Sequence, residues 1–309
     1  MNISPDYLIE RRQKKKQLLI WKLIAVVLII VLVSVIGKKF ILQDKLPMNQ
    51  EYIASILIEG IILEDAKRDK KLKEIIDDKQ IKALIVNINS PGGTVVGSEK
   101  IYNILRKISE KKPVAIVMGT MAASGGYLIS LGGDYIVSHN GTITGSIGVI
   151  LQTAEVTDLA EKLGIKFTNF KSGELKAAPN PTEKVTEIVR LAIMENIYDN
   201  YDYFIELVAL RRKIPIAEVK KIADGRIYSG RQALKLNLID SIGSEDTALK
   251  WLYEIKKINS RLVVKEFKLK PKHNLFEIIF EEFDSIIPNF FKSNFHGAKA
   301  ILNIGNFKY

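Results

Sequence analysis

Residues 83–93 read Ala-Leu-Ile-Val-Asn-Ile-Asn-Ser-Pro-Gly-Gly. The nearly continuous apolar run Ala83–Asn89 suits a strand covered on both faces, and Ser90-Pro91-Gly92-Gly93 ends it with turn residues. Upstream, Tyr52–Glu59 is strand-like, and Ala66–Lys79 reads as a charged helix ending near Asp77-Asp78. Downstream, Ile101, Ile104, Leu105 and Ile108 fall at the i, i+3, i+4, i+7 spacing of one buried helical stripe. Pro113 then introduces a further short strand, Val114–Met118. This alternation predicts an α/β fold with a largely parallel sheet and right-handed crossovers. Farther on, Asn180-Pro181-Thr182-Glu183 has the pattern of a helix start: a cap, Pro in the first turn and Glu three residues after the cap. Val185, Ile188, Val189, Ala192 and Ile193 give that helix an apolar face continuing to about Arg212. Pro215–Asp224 follows as a shorter helix stopped by Gly225.

The chain has 309 residues, 47% hydrophobic and 26% charged, which suffices for a globular core and excludes a disordered chain. Cysteine is absent, excluding a disulfide scaffold, a zinc ribbon, an iron–sulfur site and a thiol nucleophile. The net charge of +11 is concentrated at one end: residues 1–48 hold nine Lys/Arg against three Asp/Glu. The remainder lacks the dense basic stripe that nucleic-acid binding requires, so no nucleic-acid partner is expected.

Residues 18–37, LLIWKLIAVVLIIVLVSVIG, carry Lys22 as their single charge. Twenty helical residues cover about 30 Å, the hydrocarbon thickness of a bilayer, so a lipid-spanning anchor is expected. Arg11, Arg12, Lys14, Lys15 and Lys16 outweigh Lys38 and Lys39, which places the N-terminus in the cytoplasm and the rest outside. A cleaved signal peptide is the competing reading, but Val35-Ile36-Gly37 running into Lys38-Lys39 is a poor cleavage sequence. The expected organisation is a basic cytoplasmic tail (1–17), a transmembrane anchor (18–37), a linker (38–51), a folded domain (52–268) and a C-terminal amphipathic tail (269–309). In that tail Leu275, Phe276, Ile279, Phe280, Phe283, Ile286 and Ile287 form a helical stripe interrupted by Glu277, Glu281, Glu282 and Asp284. The acids argue against a membrane-surface helix and leave packing on a neighbour or on the chain's own core.

Two glycine-rich turns stand at the ends of adjacent expected strands: Asn89–Gly93, and Ala122-Ala123-Ser124-Gly125-Gly126-Tyr127. Backbone N–H groups converging there would make an oxyanion hole. The plainer reading is two ordinary turns, with Ser124 capping a helix. Neither turn has a P-loop or dinucleotide pattern, and no paired ligands for a metal are present. His139, His273 and His296 have no nucleophile-elbow motif beside them, so a Ser-His-Asp triad is weakly supported and Ser-Lys remains.

Five motifs, NSPGG (89–93), MAASGGYLIS (121–130), TGSIGVI (144–150), FKSGELK (170–176) and KKIADGRIYSGRQALKLNLID (220–240), occur in unbroken order. Over residues 52–255 the chain resembles the signal peptide peptidase A (SppA) family in its short, membrane-anchored bacterial form. The resemblance implies a Clp protease/crotonase-like fold of repeated ββα type, and it makes 52–268 a Ser-Lys peptidase domain. It implies Ser124 as nucleophile and Lys176, rather than Lys171, as base. Ser146 would orient that lysine, and Gly93 and Gly125 would supply the oxyanion hole. Neither cofactor nor metal is implied. An ordinary lysine is neutral in about one molecule in 2,500 at pH 7, so the base must be kept dry. Glu174 is accordingly expected to point away from Lys176. The family further implies a membrane-anchored endopeptidase acting outside the cytoplasm on remnant signal peptides, as a homo-oligomeric ring in which Ser124 and Lys176 can meet across protomers. Two rivals stand beside it: an acyl-CoA hydratase or thioesterase of the crotonase kind, and a non-catalytic peptide-binding scaffold.

Overall fold

The computed structural model describes residues 14–30 and 50–269, which fall in two separate units, 1–51 and 52–309. In the first unit, residues 14–30 form a helix (α1) whose apolar side chains are exposed. Among the described residues no helix is long and apolar enough to cross a membrane. Residues 31–37 of the expected anchor lie outside the described residues, as do His273, His296 and the apolar stripe of the tail.

The second unit opens with β1 (Tyr52–Ile62), α2 (Ala66–Asp77), β2 (Ile81–Gly93), α3 (Val95–Ser109) and β3 (Val114–Ala123). It continues with α4 (Gly125–Ser130), β4 (Tyr135–Ser138), β5 (Ile143–Gly145), α5 (Thr157–Lys162) and α6 (Glu187–Arg212). Then come α7 (Ile216–Ile222), β6 (Ile227–Ser229), α8 (Gly230–Lys235), β7 (Ser241–Ile242), α9 (Glu245–Glu254) and β8 (Val263–Glu266). The first half is therefore built of βα units, with strands following one another directly at β4–β5, rather than of repeated ββα units.

The sheet runs β6-β5-β3-β2-β1-β8, and β4 joins β3 to β7. Its described pairings are parallel except β5–β6, which is antiparallel, so the sheet is mixed rather than wholly parallel. Strand β3 forks: Ala115–Met118 pair with β4, whereas Met121–Ala123 pair with β5.

Both faces of the central strands are covered, as the apolar run predicts. Leu84, Val86 and Ile88 of β2 join a core with Ile101, Leu105, Tyr127 and Phe204, on the side of α3, α4 and α6. Ala83 and Ile85 point the other way, into a smaller cluster with Ala248 and Leu252 of α9. Successive strand residues face opposite sides, so β2 needs apolar residues at nearly every position.

Helix α6 starts at Glu187, capped by Thr186, whose hydroxyl accepts from Val189 N. This corrects the expected start at Asn180-Pro181-Thr182-Glu183. Asn180 instead accepts through Oδ1 from Thr182 N and Oγ1 in a local turn, and Glu183 is engaged elsewhere in the loop. The C-terminal half of α6 buries Phe204, Ile205, Leu207 and Val208, while Ile188, Leu191 and Tyr198 of its N-terminal half are exposed.

Candidate active site

The two glycine turns meet. Gly92, at φ +110°, approaches the end of β3 so closely that an added β-carbon would lie 2.9 Å from both Ser124 Cβ and Gly125 N. At Gly93 an added β-carbon would fall 1.9 Å from Ile62 O, and at Gly125 one would lie 3.1 Å from Gly93 N and 2.3 Å from Ser98 Oγ. The Gly93 and Gly125 peptides are thus neighbours, the arrangement a two-donor oxyanion hole needs.

A buried hydroxyl holds the first turn. Ser90 Oγ accepts from Gly92 N at 3.0 Å and donates to Gly60 O at 2.6 Å. Gly60 has φ +75° and sits where the β1–β2 register shifts between Glu59 and Ile61. Ser98 Oγ donates to Thr94 O, which keeps that hydroxyl against Gly125. Neither serine was singled out by sequence reasoning. Ser90 belongs to the Asn89–Gly93 motif, which could have pointed to it, whereas Ser98 lies in an otherwise ordinary helical stretch.

Ser124 occupies the N-cap of α4 at φ 52°, ψ −120°, and its side chain makes no capping hydrogen bond. The plainer reading of Ser124 as a helix cap therefore fails. A non-glycine residue in this backbone region costs roughly 1–3 kcal/mol and persists only where its surroundings hold it. Here Ser124 N donates to Gly145 O at 2.8 Å and Ser124 O accepts from Leu128 N at 2.9 Å. The result is a partly buried hydroxyl held at the mouth of the forked strand.

The bond to Gly145 places Ser146 one residue from the partner of Ser124. Ser146 also has positive φ, 47°, and its N–H donates to Arg226 O at 2.8 Å. The SGRQALKLNLID end of the fifth motif is structural. Its Leu238 carbonyl accepts from the buried Tyr127 hydroxyl at 2.9 Å, and Asp240 pairs with Arg212.

Lys176 and Ser124 share no hydrogen bond among the described residues. Lys176 lies in an exposed turn, its backbone N donates to Gly173 O, and among the described residues its ammonium makes no hydrogen bond or ion pair. Glu174 is exposed and makes no ion pair with it. Lys171, the alternative, is ion-paired with Glu183. His139 is exposed with no side-chain hydrogen bond among the described residues. No metal-binding cluster of His, Cys, Asp or Glu occurs among the described residues.

Residues 106–259 match peptidase family S49, and residues 55–147 match the Clp protease family. The chain is 40% identical over 204 residues to "Putative protease slr0021" of Synechocystis sp., covering 66% of this chain and 74% of that one. It is 31% identical over 279 residues to "Putative protease MJ0651" of Methanocaldococcus jannaschii, covering 84% and 89% respectively. With "Putative signal peptide peptidase SppA" of Enterococcus faecium it shares 40% identity over 199 residues, 64% of this chain and 58% of that one. A strained, uncapped serine beside two adjacent glycine peptides, on a chain with these relatives, places the protein in peptidase family S49, the signal peptide peptidase A group, as a serine protease.

Proposed function

We propose that the protein is a membrane-anchored endopeptidase in which Ser124 of one protomer is activated by Lys176 of its neighbour. The observation that carries this reading is the Ser124 hydroxyl, free of any capping bond and set beside the Gly93 and Gly125 peptides. The neutral amine of Lys176 takes the Ser124 proton as Oγ bonds to the scissile carbonyl carbon. Negative charge passes to the carbonyl oxygen, which the N–H groups of Gly93 and Gly125 receive. The C–N bond then breaks, Lys176 returns its proton to the leaving amine, and an acyl group remains on Ser124. Water releases it, with Lys176 again as base, and Ser146 holds the amine in line.

A base lysine must be dry, yet Lys176 is exposed in the single chain. Assembly supplies the missing cover. The segment around Lys176 exposes Ile150, Leu159, Leu163, Phe167, Phe170 and Leu175, together with Ile188 and Leu191 of α6. Apolar surface gathered in one stretch of chain marks an association surface, and a closed ring of identical copies would cover it. Residues 18–37 anchor the ring in the bilayer, with the catalytic domain outside the cytoplasm. The substrates are apolar peptides such as remnant signal peptides, bound in extended form beside the glycine turns.

The test is hydrolysis of an apolar peptide by the full chain, its Ser124→Ala variant and its Lys176→Ala variant. Each substitution is expected to reduce turnover by about a thousandfold or more. Wild-type turnover in either variant contradicts the mechanism.

A further inference from the structure

We infer that Glu183 is a positioning residue for the catalytic base, its carboxylate clasping shut the loop that carries Lys176. The inference rests on Lys176 being that base. Between α5 and α6 the chain runs without helix or strand from 163 to 186, and Lys176 sits within it. The Glu183 carboxylate gathers three donors from both arms of this loop. Asn169 Nδ2 donates at 2.8 Å, Asn180 Nδ2 donates at 2.9 Å, and the Lys171 ammonium completes an ion pair. Asn180 Nδ2 also donates to Ala177 O at 3.2 Å, so the clasp reaches the residue directly after Lys176. Ala177 stands at φ 61°, a conformation that requires such support.

The pair is shielded compared with its neighbours. Lys171 and Glu183 side chains are 17% and 30% exposed, against 69% and 74% for Lys184–Asp158. The Lys171 ammonium, followed by the two asparagine amides, holds the Glu183 carboxyl below its usual range. Lys171 is thereby committed to an ion pair, while Lys176, five residues on, stays unpaired among the described residues. The clasp thus divides the work of the two lysines: one fixes the loop, the other is presented by it. An amine on a loose loop spends little time in line with a hydroxyl, and misplacement by about 1 Å can cost a hundredfold in rate.

The test compares the full chain with Glu183→Gln, Lys171→Met, Lys171→Arg and the Glu183→Gln/Lys171→Met double variant. It reads kcat and KM on an apolar peptide, the rate at which a fluorophosphonate labels Ser124, and particle size. Glu183→Gln and Lys171→Met are each expected to lower kcat and labelling about tenfold, with KM within about twofold. The double variant is expected to be no worse than either single one, because both break the same contact. Lys171→Arg, which keeps the pair, is expected to retain near wild-type kcat. Unchanged kcat in Glu183→Gln, additive losses in the double variant, or loss of the assembled particle would each overturn the inference. Lys176→Ala run in parallel separates the two claims. Full turnover there removes the base itself, whereas an inactive Lys176→Ala beside a fully active Glu183→Gln removes the clasp alone.

Discussion

Gly92 lies against Ser124 so closely that a single methyl group on Gly92 would sit 2.9 Å from the Ser124 β-carbon and 2.9 Å from the Gly125 nitrogen. Gly92→Ala must therefore push Ser124, the Gly125 peptide or both out of place, and its φ of +110° adds backbone strain. Losing one oxyanion donor costs about 3–4 kcal/mol, so peptide turnover is expected to fall by about 10² or more. Gly125→Ala, which would drive into Ser98 Oγ at 2.3 Å, is expected to do the same. Circular dichroism and fluorophosphonate labelling separate a displaced site from a lost fold.

Tyr127 follows the Ser124 turn and is fully buried, its hydroxyl donating to Leu238 O. Tyr127→Phe leaves that carbonyl unpaired in the core and is expected to cost about 1–3 kcal/mol in denaturant unfolding. Burial also pushes the Tyr127 phenol well above its ordinary range, and burial followed by Glu99 pushes the Tyr203 phenol up to about 12. A phenol that ionises more readily unfolded than folded stabilises fully below about pH 10, and that stability is lost as pH rises further. Unfolding at a series of alkaline pH values is expected to show this decline, with a shallower slope in Tyr127→Phe.

Ile150 and Phe170 are 86% and 95% exposed, far more than folded apolar side chains of this size ordinarily are. A ring interface built on them is expected to fail in Ile150→Asp and Phe170→Asp. Light scattering should then report a smaller particle, with turnover falling in proportion because Lys176 loses its cover. An unchanged particle in both variants would place the interface elsewhere.

The central strands were legible because burial on both faces leaves a signal of its own. β2 and β3 need apolar residues at successive positions, and the sequence shows them at Ala83–Ile88 and Val114–Met118. The meeting of the glycine turns was legible too, since adjacent parallel strands bring their carboxyl ends together. Short strands such as Ser241–Ile242 and Val263–Glu266 were not, because two to four residues carry no periodicity. The fork of β3 was also hidden, since it depends on which neighbours the strand finds rather than on its own residues. Asn180–Glu183 misled for a definite reason. The cap-and-glutamate spacing is a local signal, and Lys171, with the asparagines at 169 and 180, outcompeted the helix for Glu183. The choice of Lys176 over Lys171 came from family resemblance alone; what the structure adds is that Lys171 is ion-paired with Glu183.

Mixing two inactive proteins tests the shared active site most directly. Ser124→Ala and Lys176→Ala full-length chains are dissociated together, reassembled and assayed on an apolar peptide. If each site draws its serine from one copy and its lysine from the next, random co-assembly pairs intact partners at about one site in four. Turnover is then expected to recover to about a quarter of wild type. No recovery above the separate variants, from particles verified to contain both chains, would contradict a dyad built between neighbours.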